Sequence, residues 1–331
     1  MPRTRIVALG THVPERVVTN EDLTQRMETS DEWIQQRTGI KERRWVDENT
    51  GASDLAYEAT KKALAKAGWE AKDLDAIVYA TLSPDYNFPG DACFLQAKLG
   101  IPGVPALDIR NQCSGFIYGL SVADAWIRSG QYKRVLLVGA EVHSTGLDVS
   151  TRGRDVAVIF GDGAGVALLE ATEEEGRGVL STHLHADGRG GKDLWCEGPA
   201  SIRHPRIDHQ LLEEGRHYPK MEGQKVFKNA IVKMPEVVRE ALTKNNLSVS
   251  DIKVLIPHQA NLRISEMVQR SLELRDDQVH NNIQKYGNTT AASIPLCLEE
   301  AVEVRGVKPG DLVAIAAFGA GFTWASALIR W

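Results

Sequence analysis

Two stretches, EAKDLDAIVYA (residues 70–80) and SVSDIKVLIPH (residues 248–258), share one pattern: a short polar turn closed by an aspartate, then an apolar run. Each follows a segment with helical spacing of apolar residues, DLAYEATKKALAKAG (54–68) and VFKNAIVKMPEVVREAL (226–242). Asp73 and Asp251 lie 178 residues apart, and the strand starts Val135 and Val313 keep the same offset. The helix-ending glycines Gly130 and Gly306 are 176 apart. Chance similarity of common α/β patterns does not readily give three offsets within two residues of each other, so the chain reads as a duplication. Strands alternating with helices imply stacked α/β layers. The expected organisation is two similar halves, 1–172 and 173–331.

The first half reads as strand (5–9), helix (53–67), strand (76–80), helix (90–99), a short buried strand (104–109), a further helix and a strand (135–138). The chain is 43% hydrophobic and 25% charged, with a formal net charge of −5. This is ordinary globular composition and offers no general attraction to nucleic acid or anionic membrane, so an anionic partner must meet a local basic patch. The four cysteines, Cys93, Cys113, Cys196 and Cys297, are far apart and form no CxxC pair, which argues against a disulfide framework or zinc site and fits a reducing cytoplasm. The opening MPRTRIVALG is too weakly apolar for a signal peptide, and no run approaches the ~18 apolar residues of a membrane span.

IRNQCSGFIYGL (109–120) places Cys113 where a strand gives way to a helix marked by Phe116, Leu120, Ala123 and Ile127. Unpaired N–H groups at a helix start favour a thiolate, hence a nucleophile; the alternative is a small apolar core residue. VLIPHQANLRI (254–264) puts His258 directly after a strand, where α/β folds place reacting groups, although a lone histidine also serves structure. KYGNTTAASIPLCLEEAV (285–302) holds Asn288, 175 residues after Cys113, either as a helix cap or as an amide presented from the equivalent junction. Duplicated halves bring such junctions together, and the joint placement of these three residues favours a site. AFGAGFTWAS (317–326) offers closely approaching backbone N–H groups for an oxyanion. FGDGAGVALL (160–169) reads as a structural turn, because no nucleotide-binding fingerprint accompanies it.

Between Thr182 and His217 lie five histidines and Cys196. His183 and His185 share a strand face without a third ligand at usual spacing, so no metal is expected. The polar, proline-bearing segment ASIRHPRIDHQLLEEGRHYPKM (200–221) reads as an excursion near the site mouth.

TSDEWIQQRTGIKERRW (29–45), the Cys113 segment, IFGDGAG (159–165), PHQANLRI (257–264), YGNTTAASIP (286–295) and AFGAGFTW (317–324) occur in the order of one family. Over nearly its whole length the chain resembles the 3-oxoacyl-[acyl-carrier-protein] synthase III family. The resemblance implies a thiolase-like fold with a layered αβαβα core, a homodimer and no cofactor. It implies a Cys113, His258 and Asn288 triad that condenses an acyl-CoA primer with malonyl-acyl carrier protein, and an oxyanion site at the N–H groups of Cys113 and Ala320. Thr29, Trp33, Arg37 and Arg154 are implied to hold CoA, Lys228, Arg263 and Arg270 to dock the carrier, and Phe88 and Phe318 to line the acyl pocket. Phe88, just before Pro89 and a helix, reads equally as a hydrophobic staple. Arg43 and Arg44 are expected on a solvated loop. The segment 187–221 is about ten residues longer than is usual for the family, which leaves primer choice open. Alternative readings are a related long-chain, quinolone or polyketide enzyme, or a non-catalytic partner subunit.

Overall fold

The alternating strand residues sort onto two sheets that share one layer of helices. The computed structural model describes residues 2–331. The first sheet contains β1 (Arg3–His12), β2 (Ala76–Ala80), β3 (Ala106–Ile109), β4 (Arg134–Glu141) and β5 (Gly163–Thr172), in the order β1-β5-β4-β2-β3. The second contains β6 (Gly178–Ala186), β7 (Ile252–Pro257), β8 (Leu312–Gly319) and β9 (Thr323–Arg330), in the order β7-β8-β9-β6.

The two sheets repeat one topology. β2 runs parallel to β4, with Val78 opposite Leu137, as β7 runs parallel to β8, with Ile256 opposite Ile315. Two antiparallel strands then follow in each, β5 and β1 in the first and β9 and β6 in the second. The matching helices Gly115–Arg128 and Ser293–Val304 are each followed by a left-handed glycine, Gly130 at φ 77° and Gly306 at φ 58°, which explains the glycine spacing.

Side-chain alternation fixes the layers. Val78, Val135 and Leu137 face inward with Val254, Ile256, Val313 and Ile315 against the two matching helices. Ile77, Tyr79, Leu136 and Val138 face outward under the helices Ala52–Ala67 and Asp91–Leu99. Leu255, Leu312 and Ala314 face outward under Gly223–Lys244 and Leu262–Leu272. The result is the αβαβα stack.

Two local expectations are corrected. The segment expected as a buried strand over 104–109 is β3, an edge strand that exposes Leu107, because an apolar run does not specify what lies beside it. Arg43 is fully buried rather than solvated. Its guanidinium donates to Asn20 Oδ1 (2.8 Å), Val158 O (2.8 Å) and Val18 O (3.3 Å) and ties three chain segments together, while burial lowers its pKa to about 10. Replacing Arg43 with Met leaves these acceptors buried and unpaired, so the expected loss of stability is about 3 kcal/mol, read as a lower midpoint in denaturant with unchanged m-value.

Candidate active site

Cys113 sits in the 3₁₀ turn Gln112–Ser114, between edge strand β3 and the buried helix Gly115–Arg128. The turn is forced: Gln112 adopts φ 44°, a left-handed value uncommon outside glycine. The end of β8 packs directly on it, since a Cβ at Gly319 would stand 2.7 Å from Cys113 Cβ and 3.1 Å from its sulfur. Only glycine permits this approach. Cys113 is 6% exposed, and burial, aided by the Glu141 carboxylate, pushes its thiol up to about 12. The backbone N–H groups of Cys113 and Ala320 oppose that shift. The helix start therefore does not give a resting thiolate, contrary to the expectation from sequence, because desolvation outweighs it.

His258 follows β7 and donates its backbone N–H to Ala316 O of β8 (2.7 Å), three residues before Gly319. Its Nδ1 meets Ser293 Oγ at 2.6 Å, while Ser293 Oγ also accepts the Gln259 N–H at 3.4 Å. A serine hydroxyl has one proton and two acceptor positions, so the tautomer with the imidazole proton on Nε2 is the one in which Ser293 donates to Nδ1. Nε2 is buried and has no partner among the described residues. The ring is 2% exposed, and burial lowers its pKa to about 3, so it is neutral at physiological pH.

Asn288 is held by its backbone beside the glycine turn of the first half: its N–H bonds Ile159 O (2.9 Å) and its carbonyl accepts from Gly161 (3.1 Å). The side chain makes a local turn rather than a cap on the helix, which begins only at Ser293: Oδ1 accepts the Thr290 N–H at 2.8 Å. Among the described residues no protein acceptor takes its Nδ2 protons. The following turn, Thr290–Ala292, packs against the Cys113 turn. Cys113, His258 and Asn288 thus converge through β8 and this turn.

The remaining candidate residues form separate surfaces. Ser30 caps the helix Asp31–Thr38 by accepting the Trp33 N–H. The guanidinium carbons of Arg37 and Arg154 each lie 4.6 Å from the Trp33 ring centroid, Arg154 is steadied by Glu28 O (2.8 Å), and the Thr29 hydroxyl is buried without a partner. Lys228, Arg263 and Arg270 are exposed on the packed helices Gly223–Lys244 and Leu262–Leu272, and none is in an ion pair among the described residues. Phe318 is buried with its ring 4.9 Å from Phe322, whereas Phe88 is 81% exposed and makes no staple.

The excursion is partly ordered: Leu194–Cys196 pairs with Pro219–Met221, and the helical turn His209–Glu213 lies between them. His183 and His185 are taken up by Glu240, whose two oxygens meet them at 3.2 Å and 2.7 Å. Among the described residues no cluster of His, Cys, Asp and Glu has the geometry to hold a metal. Residues that sequence reasoning missed are Ser293, Thr290 and Glu141; each acts through a tertiary contact with no fixed spacing to signal it.

The family described as 3-Oxoacyl-[acyl-carrier-protein (ACP)] synthase III matches residues 107–188, and its C-terminal counterpart matches residues 242–331. A beta-ketoacyl-[acyl-carrier-protein] synthase III of Caldanaerobacter subterraneus is 46% identical over 98% of this chain and 97% of that protein. The protein of the same description from Rhodospirillum centenum is 47% identical over 99% of both. The crystal structure of the Aquifex aeolicus 3-oxoacyl-[acyl-carrier-protein] synthase III superposes with a TM-score of 0.90 at 41% identity, covering 99% of this chain and 100% of that one. The matched regions hold Cys113 and its strand on one side and His258, Asn288 and the β8 glycine turn on the other, so sequence, fold and the built junction agree that the chain belongs to the 3-oxoacyl-[acyl-carrier-protein] synthase III family.

Proposed function

We propose that the chain catalyses the decarboxylative condensation of an acyl-CoA primer with malonyl-acyl carrier protein, giving 3-oxoacyl carrier protein, CoA and CO₂, the first condensation of fatty acid synthesis. The observation that carries this reading is that His258 Nε2 and Asn288 Nδ2 have no protein partner among the described residues at the junction where the Cys113 thiol is buried. Two donors without a protein acceptor suit an anion that exists only during reaction.

In the first half-reaction the Cys113 sulfur attacks the primer carbonyl while its proton passes toward the CoA sulfur that will leave, and the oxyanion lies against the N–H groups of Cys113 and Ala320. Collapse expels CoA thiolate, which takes up a proton and leaves an acyl-cysteine. In the second, the malonyl carboxylate departs as CO₂ and its electrons move to the thioester oxygen, where the His258 and Asn288 donors stabilise the enolate. The enolate carbon attacks the acyl group, and the Cys113 thiolate leaves and regains a proton from solvent. A neutral imidazole suits this role, since it donates a hydrogen bond without a counter-charge in a dry site.

Trp33, Arg37, Arg154 and Thr29 make the CoA nucleotide site, with the two arginines supplying planar forks for phosphate. Lys228, Arg263 and Arg270 dock the acidic carrier. The halves 1–172 and 173–331 act as one unit in a cytoplasmic homodimer. Edge strand β3 with exposed Leu107, together with Tyr86 and Phe88, supplies the dimer surface, and Phe88 completes the acyl pocket of the second subunit beside Phe318.

Three measurements test this. Alkylation of Cys113 by iodoacetamide in the free enzyme, followed by peptide mass spectrometry, is expected to be still rising between pH 9 and 11, in line with a thiol near 12; a plateau by pH 8 contradicts the buried-thiol account. His258→Ala and Asn288→Ala are each expected to lower CO₂ release from malonyl carrier by about 10²–10³ while the acyl-cysteine still forms from acyl-CoA, and loss of acylation in both refutes the division of labour. Phe88→Ala is expected to raise kcat/KM for octanoyl-CoA relative to acetyl-CoA, as each accommodated CH₂ contributes about 0.8 kcal/mol; an unchanged order among acetyl-, isobutyryl-, octanoyl- and dodecanoyl-CoA removes Phe88 from the pocket.

A further inference from the structure

Glu141 closes strand β4 with no exposed surface. Its carboxylate accepts from Thr81 Oγ1 (3.0 Å), the backbone N–H groups of Leu82 (3.1 Å) and Ser83 (3.1 Å), the Ser83 hydroxyl and, from the second half of the chain, the Ala291 N–H (3.4 Å). Among the described residues no lysine or arginine pairs with it. A buried carboxylate without a counter-ion is costly, so what it holds is informative.

Ala291 lies in the turn Thr290–Ala292, wedged between two glycines: a Cβ at Gly139 would stand 2.4 Å from Ala291 O, and one at Gly115 would stand 3.6 Å from Ala291 Cβ. The turn is strained, with Thr290 at φ 49°. From it radiate the contacts that aim the donors. Thr290 N–H fixes the Asn288 amide, and the next residue, Ser293, fixes His258 Nδ1. Side-chain hydrogen bonds from the first half reach this turn at two points: Glu141 on Ala291, and His143 Nε2 on Thr290 Oγ1 at 2.7 Å.

We propose that Glu141 is a positioning residue for the decarboxylation half-reaction, which pins the Thr290–Ser293 turn through Ala291 and thereby sets Asn288 Nδ2 and His258 Nε2 toward the enolate oxygen. The inference rests on the reaction assigned above. Its charge has a second effect, because it lies close enough to raise the Cys113 thiol electrostatically. Tyr79 and Asp91 are titratable groups that feel this charge, and burial raises both; His143, which reaches the same turn, is lowered by burial to about 4. Burial raises Glu141 itself to about 7.

The test compares Glu141→Asp and Glu141→Gln with the wild-type full chain, each checked for folding by its thermal midpoint. Three quantities are read: acyl transfer from acyl-CoA to Cys113 by intact mass, CO₂ release from malonyl carrier, and the pH profile of Cys113 alkylation. Aspartate keeps the charge but is one CH₂ too short to reach Ala291; CO₂ release is expected to fall about tenfold or more, with acyl transfer within about threefold and the alkylation profile unmoved. Glutamine removes the charge, and the alkylation profile is expected to move to lower pH alongside the same loss of CO₂ release. Should the glutamine variant fail to fold, the aspartate variant carries the comparison. Equal loss of both half-reactions, or CO₂ release at the wild-type level in a folded variant, overturns the positioning role. A wild-type chain that releases no CO₂ overturns the reaction as well.

Discussion

Three segments from both halves of the chain meet around one sulfur because Gly115, Gly139 and Gly319 carry no side chains. At Gly319 a Cβ would collide with Cys113, and at Gly139 it would collide with the backbone of Ala291. The turn of the second half therefore slots between β4 and the helix that follows Cys113. Every other property of the site depends on this closeness, since it excludes water from the thiol, the imidazole and the amide together. The glycines do what no larger residue can do here.

Exclusion of water sets the chemistry. Cys113 is pushed up to about 12 and His258 down to about 3, so both partners rest neutral. An ion pair of thiolate and imidazolium is the arrangement this interior disfavours, because each charge loses its hydration and Glu141 opposes the thiolate. In the proposed reaction charge is created only transiently, on oxygens that face preset N–H donors. Donors fixed by Ser293 and Thr290 need no reorientation when that charge appears, which is where the low dielectric becomes useful.

Much of this was legible in the sequence. Offsets between Asp73 and Asp251 and between Val135 and Val313 mark elements that the two sheets repeat, and the three junction residues lie where the duplication puts them. What sequence did not disclose follows a common physical pattern. Arg43 looks like one more loop arginine until three carbonyl-type acceptors from distant segments surround it, and Glu141 is an ordinary strand-end acid until a turn 150 residues away bonds it. The state of Cys113 was misjudged for the same reason. Local helix geometry is readable from spacing, but desolvation is the sum of everything packed around a group, and that sum is tertiary.

The excursion shows how one segment can touch both ends of a site. Its first residue, Asp187, exchanges two backbone hydrogen bonds with Phe322, two residues from Ala320, whose N–H lowers the Cys113 thiol. Its last turn returns to the opposite side: Arg152 donates to Glu213 O at 3.1 Å, two residues from the Arg154 that lies over Trp33, and Met221 packs in the same cluster as Trp33, Val156 and Leu262. A change in the length or packing of this segment therefore acts on the glycine turn and on the indole platform at once. The glycine turn and the indole platform are thus linked through one segment, whereas the basic face of Lys228, Arg263 and Arg270 stands on two long helices of the outer layer. The excursion can thus vary while the helices that present this basic face stay fixed by their own packing.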